Sequence, residues 1–153
     1  MKRFRFSLEK VLKLKQYHEQ EAKNELGKAI GILTEIENKI KQNALLHSQA
    51  AQERFAGITS SKDNENVTVL SGAFSMMAWD SYILRLEQEA ERLMEEAASA
   101  ELVVEEKRAL FLEASRELKV MENLKEKRQQ EYRKEMFAVE SKETDDRYRR
   151  KNE

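Results

Sequence analysis

The sequence predicts an all-α fold: a long two-helix antiparallel coiled-coil hairpin with a C-terminal helical overhang. Three observations lead there. Pro is absent and Gly occurs only 4 times in 153 residues, too few chain-turning residues for a fold with many turns. Charged residues make up 37 % and hydrophobic residues 40 %, a mix rich in Glu, Lys, Leu, Ala and Arg that is typical of long helices. Apolar residues also recur at alternating spacings of four and three, the pattern of a coiled-coil seam. At this charge density the buried surface should be a narrow seam rather than a thick core. The length suits one domain over 1–153, with a helix over 7–56, a loop over 57–72 and a helix over 73–145.

The first helix has a readable start in MKRFRFSLEKVLKLK. Ser7 is a good N-cap, and Glu9 places a carboxylate in the first turn, where the backbone dipole favours it. Phe6 and Val11 have the spacing of a hydrophobic staple. Lys2, Arg3 and Arg5 then lie just outside the helix, which spares them the unfavourable positive end of its dipole. Ala22, Leu26, Ala29, Leu33, Ile36 and Ile40 form the seam, and the same register continues through Asn43, His47 and Ala50. Glu9–Lys13, Glu19–Lys23, Glu35–Lys39 and Glu37–Lys41 are i,i+4 pairs on solvated faces. Gly27 and Gly31 weaken the helix locally and leave room for the close approach of a partner.

Residues 57–72 concentrate Gly, Ser, Asp and Asn without a helical period and read as the loop. Ser71 or Ser75 is the candidate cap of the next helix. From Trp79 the spacing is strict: Ile83, Leu86, Ala90, Leu93, Ala97, Ala100, Val104, Lys107, Phe111, Ala114, Leu118 and Met121. Only Lys107 is polar. The register then gives Lys125, Arg128, Tyr132, Glu135 and Val139, so the apolar seam stops while helix-forming residues continue. Folding the chain back with residue 54 opposite about 76 puts residue 8 opposite about 122, because both helices rise about 1.5 Å per residue. The clean part of the second seam therefore ends where the first helix runs out of chain. The overhang is expected beyond about residue 125.

Composition also narrows the function classes. The 28 basic and 29 acidic residues give a formal charge of -1, against a general nucleic-acid binder. Cys is absent, so no disulfide can form. No apolar run approaches the length of a membrane span. Glu9, Lys10, Lys13 and Lys15 interrupt any signal-peptide core, which makes the cytosol the expected location. His18 and His47 are far apart and lack the i,i+4 spacing of a helical metal site, so structural or surface roles are expected. Glu95–Glu96 and Glu105–Glu106 read as solvated helix faces, no phosphate loop is present, and a two-helix hairpin offers no enclosed pocket for catalysis. We expect no catalytic, cofactor-binding or metal-binding residues.

Two regions remain. Near the loop, Leu45, Leu46, Phe55, Phe74, Met76, Met77 and Tyr82, with Trp79 at the start of the seam, exceed what two residues per heptad can bury. Either they fold over the hairpin tip or some form an exposed apolar patch for a partner. At the open end, Lys2, Arg3, Arg5, Lys10, Lys13 and Lys15 lie near Lys125, Lys127, Arg128, Arg133 and Lys134. They form either a solvated face or the charged rim of an end inserted into a protein socket.

Phe4, Phe6, Leu8, Val11, Leu12, Glu21, Ala22 and Leu26, in FRFSLEKVLKLKQYHEQEAKNEL, resemble the start of the flagellar export protein FliJ family. Length and two-helix layout match as well. The resemblance implies a non-enzymatic, stalk-like component of the flagellar type III export apparatus. Such a protein would insert in the hexameric flagellar export ATPase ring, connect it to the membrane export-gate protein and assist export chaperones. It would be cytoplasmic and peripherally associated with the membrane export apparatus. On this reading Lys2, Arg3, Phe4, Arg5, Phe6, Lys10, Lys13, Arg128 and Arg133 are candidate ring contacts. Leu45, Leu46, Phe74, Met76, Met77, Trp79 and Tyr82 are candidate gate or client contacts. The alternative is a freestanding coiled-coil adaptor or general export chaperone.

Overall fold

The structure, a computed structural model, describes the backbone of residues 4–60 and 68–151 and the side chains of 4–57 and 72–150. It is all-α: α1 spans Glu9–Ser60 and α2 spans Thr68–Lys151. Contacts group the chain into a terminal unit, Met1–Glu25 with Arg108–Glu153, and a loop unit, Leu26–Lys107.

All four helix boundaries differ from expectation. The hydrogen-bond ladder of α1 opens at the Leu8 carbonyl, which accepts from the Leu12 N–H at 2.9 Å. Ser7 lies one residue earlier, in a turn closed by the Glu9 N–H donating to the Phe6 carbonyl at 3.2 Å, so it is not the cap. α1 then continues through Gly57 to Ser60. A helical glycine costs about 1 kcal/mol against Ala, too little to stop a long, cooperative helix without a left-handed cap, and no described glycine has positive φ. α2 starts at Thr68, so Ser71 and Ser75 lie inside it rather than capping it. Its seam extends upstream of Trp79 through half-buried Met76 and Gly72, which keep the 4–3 spacing. At its far end α2 runs to Lys151, beyond the expected 145.

In the loop unit the helices pair antiparallel: Arg54 Nε lies 2.5 Å from Asp80 Oδ1, and His47 Nε2 lies 3.5 Å from Glu87 Oε1. The terminal unit pairs in the same sense, with Lys15 Nζ 2.5 Å from Glu117 Oε2 and Lys125 Nζ 2.8 Å from Glu9 Oε2. These partners lie two to four residues, at most about one helical turn, further along α2 than the simple fold-back places them. A slip of one turn keeps every seam residue on its inward face. Periodicity therefore specifies the face but not the turn.

The buried face is the expected one. In the loop unit Ala29, Ile36, Asn43 and Ala50 of α1 and Leu86, Leu93 and Val104 of α2 are buried. The intervening positions, including Leu26, Leu33, Ile40, Ile83, Ala90 and Lys107, are half-buried. In the terminal unit Leu12, 4 % exposed, is the one buried side chain among the described residues. Half-buried Phe111, Ala114, Leu118, Met121 and Lys125 continue the row on α2. Past Lys125 the half-buried residues are Gln129, Tyr132 and Met136, whereas Arg128, Glu135 and Val139 are exposed, so the inward face drifts from the extrapolated register. From Phe137 to Arg150 every side chain is exposed. Gly27 and Gly31 are helical, and an added Cβ at either would meet nothing within 4 Å, so no close approach occurs there among the described residues.

A carboxylate placed mid-seam tests this packing. Leu93→Asp buries an unpaired charge and should cost several kcal/mol even after water penetration, lowering the thermal midpoint and helicity by circular dichroism. An unchanged midpoint would contradict a packed seam at Leu93. A second test uses pH. The Lys15 ammonium, through its hydrogen bond and then its charge, holds the Glu117 carboxyl below its ordinary value of 4.5. Because the folded-state value is depressed, the stabilisation is present above the unfolded-state pKa and is lost as pH falls through the folded one. The midpoint difference between wild type and Lys15→Gln should therefore be largest near neutrality and vanish in acid. The pair is exposed to solvent, so added salt should shrink the difference too.

Candidate functional site

The two candidate regions lie in different units, and each is built by its own helix ends. In the terminal unit the chain ahead of α1 folds against α2. Phe4 meets Tyr132 with ring centroids 5.5 Å apart and planes inclined by 50°. Phe4, Arg5 and Phe6 share a shallow cleft with Arg128, Glu131 and Tyr132. Phe6 thus faces α2, while Val11, its expected staple partner, stays partly exposed. Tyr132 is the residue that sequence reasoning placed on the register without giving it a role. Its signal was an aromatic side chain at a seam position just past the last apolar one.

The basic residues separate into two groups. Lys15 and Lys125 are engaged across the pair with Glu117 and Glu9. Arg5, Lys10, Lys13, Arg128 and Arg133 are exposed, with Arg128 Nη1 3.8 Å from Glu131 Oε2. Lys2 and Arg3 lie outside the described residues.

In the loop unit the apolar excess divides as well. Phe74 and Met77, 72 % and 68 % exposed, stand on the outer face of α2, and Leu45, Leu46 and Phe55 are exposed on α1. Met76 is half-buried because it belongs to the seam. Half-buried Trp79 and Tyr82 pack edge to face, centroids 6.0 Å apart, and line a groove of about 340 Å³ with Leu46, Ala50, Gln52 and Glu53. Aromatic pairs in such edge-to-face geometry add to simple burial. The described tip residues therefore do not all cover one another: an apolar surface is left facing solvent.

A second signal for this surface is present in the sequence. No Asp, Glu, Lys or Arg occurs from Gln42 to Gln52 or from Asn66 to Trp79, in a chain that is 37 % charged. The two charge-free stretches flank the loop, and the apolar residues in question, Phe55 and Tyr82 apart, fall within them.

His18 Nδ1 lies 3.9 Å from Glu21 and His47 contacts Glu87, so each histidine neighbours one carboxylate. No group of three or more metal-ligating side chains occurs among the described residues. No described helix is long and apolar enough to cross a membrane.

Comparison with known proteins agrees with the resemblance in the opening residues and extends it. The family model described as "Flagellar FliJ protein" matches residues 4–153. Neither the curated proteins nor the solved structures gave a significant match. The matched segment takes in both helices, the Phe4–Tyr132 clamp and the apolar surface beside the loop. The chain belongs to the flagellar FliJ family and is a component of the flagellar protein-export apparatus.

Proposed function

We propose that the protein acts as a non-enzymatic, stalk-like connector, its terminal unit seated in the hexameric export ATPase ring and its loop unit contacting the membrane export gate. The observation that carries this reading is that a FliJ-family chain exposes two chemically different surfaces, a basic and aromatic one at Phe4–Lys13 and an apolar one at Leu45–Tyr82. Lys2, Arg3, Arg5, Lys10, Lys13, Arg128 and Arg133 would face acidic walls of the ring, with Phe4 and Phe6 as apolar anchors. Leu45, Leu46, Phe74, Met76, Met77, Trp79 and Tyr82 would contact the gate or a client chaperone. The protein would then be peripherally associated with the membrane apparatus without spanning the bilayer.

The mechanism is allosteric rather than chemical. A stalk can bias the conformations of ring subunits only if its contacts discriminate between them. The terminal unit offers contacts for this in its exposed basic residues and its Phe4–Tyr132 clamp. The direct test is ATP hydrolysis by the cognate ring with and without this protein, with stimulation expected. A freestanding adaptor or export chaperone is the second reading, favoured by exposed Phe74 and Met77. It would be selected by client binding together with no effect on the ring.

Two variants separate the surfaces. Replacing Lys2, Arg3, Arg5 and Lys13 with Gln should leave the helical content intact, because exposed charges contribute little to stability. It should slow association with the ring roughly tenfold at low salt and flatten its salt dependence, since charge complementarity acts mainly on encounter. A folded variant with unchanged affinity and salt slope would remove the electrostatic contact. Met77→Ser should weaken gate or client binding while ring stimulation and thermal midpoint are retained. Unchanged gate and client affinity would take Met77 out of the contact.

A further inference from the structure

The seam of the loop unit changes character at Ile40. Before that point α1 supplies Leu26, Leu33, Ile36 and Ile40, with Ala29 between them. Beyond it the seam positions are Asn43, His47, Ala50 and Arg54, without one large apolar side chain. Asn43 is the one buried polar side chain among the described residues, and Ala50 is 2 % exposed. Polar residues at seam positions lower coiled-coil stability, and an alanine buries far less apolar area than a leucine. α2 answers with Trp79, Ile83 and Leu86, but Trp79 and Ile83 remain half-exposed.

The ion pairs that cross this stretch are exposed ones. Arg54 meets Asp80, and His47 meets Glu87 at a distance marginal for a hydrogen bond. All four side chains are between 35 % and 56 % exposed, so neither contact replaces the missing apolar burial. The same segment contains the Gln42–Gln52 stretch, which has no Asp, Glu, Lys or Arg for i,i+4 ion pairs of its own. Gly57, with open space around it, weakens the helix further.

We propose that α1 from Asn43 to Gly57 is a separate cooperative segment that opens from α2 while the seam from Leu26 to Ile40 stays closed. Elements of low local stability open independently of the rest of a fold, and their amides report it by exchange. Detached from α2, fifteen residues or so make a helix that is marginal in water, so opening also unwinds the segment. Opening uncovers Trp79, Ile83 and Leu86 beside the already exposed Phe74 and Met77. The surface near the loop therefore exists in a smaller and a larger form. This property belongs to the chain alone and holds whether or not the loop unit meets an export gate.

Hydrogen exchange read by mass spectrometry on the intact protein tests it without any partner. Amides in 44–57 should exchange at least about tenfold faster than those in 26–40, with the step falling between Ile40 and Asn43. Asn43→Leu combined with His47→Leu should slow exchange in 44–57 about tenfold and leave 26–40 unchanged. Equal protection on both sides of the step would overturn the proposal. So would a gradual loss confined to the last turn or two of α1, which is ordinary end fraying. A folded double variant with unaltered exchange in 44–57 would overturn it as well, and if the variant does not fold, the wild-type profile alone decides.

Discussion

Among the described residues the interior is a single row of side chains spaced alternately by four and three. Among the described residues no side chain is completely withdrawn from solvent. Burying a Leu, Ile or Val contributes roughly 1.5–3 kcal/mol, so Leu12, Ile36, Leu86, Leu93 and Val104 carry a large share of what holds each unit together. Among the described residues no second layer is present to take over when one position fails. Helix propensity supports the arrangement without replacing it, since long helices in water depend on packing one face. The charged faces keep the two helices soluble and tune their register through pairs such as Lys15–Glu117 and Arg54–Asp80.

The thin interior explains where recognition surfaces can arise. With two seam residues per heptad, any further apolar side chain must face outward or sit in a groove beside the seam. Phe74 and Met77 face outward, and Trp79 with Tyr82 forms a groove wall. In the terminal unit α2 outlasts its partner, and the chain ahead of α1 is held there by Phe4 on Tyr132. A chain of the flagellar FliJ family thus obtains distinct surfaces from a single structural rule, by varying where the seam stops and what lies just outside it.

Much of this was legible in the sequence because the seam repeats. The inward face from Ala22 to Ala50 and from Trp79 to Met121 follows from spacing, and the antiparallel sense from the match between the end of the second seam and the length of the first helix. The boundaries were less legible. The 57–72 stretch looked like loop from its Gly, Ser and Asn content, yet helix continues to Ser60 and resumes at Thr68, because Met76 and Gly72 extend the seam upstream. Ser7 has the chemistry of a cap, but the turn closed by Phe6 and Glu9 moves the first helical carbonyl to Leu8. The Phe4–Tyr132 clamp was hidden because it joins residues far apart in sequence where the apolar pattern has already faded. The exposed tip was half legible: counting apolar residues showed the excess, whereas only the packing separates Met76, which enters the seam, from Met77, which does not.

The account rests on the pairing of α1 with α2 within each unit, and cross-linking tests that pairing most directly. The chain has no Cys, so single pairs can be introduced without background. Arg54→Cys with Asp80→Cys reports the loop unit, and Glu9→Cys with Lys125→Cys reports the terminal unit. Each pair, treated at low protein concentration with a short bis-maleimide spanning the roughly 8–10 Å between packed helix axes, should give an intramolecular link in high yield. A control pair within the loop unit, Arg54→Cys with Lys107→Cys, about 40 Å apart along the helix axis, should not. Failure of both designed pairs to link within one molecule, or efficient linking of the control, would contradict the antiparallel seam on which the rest of the account depends.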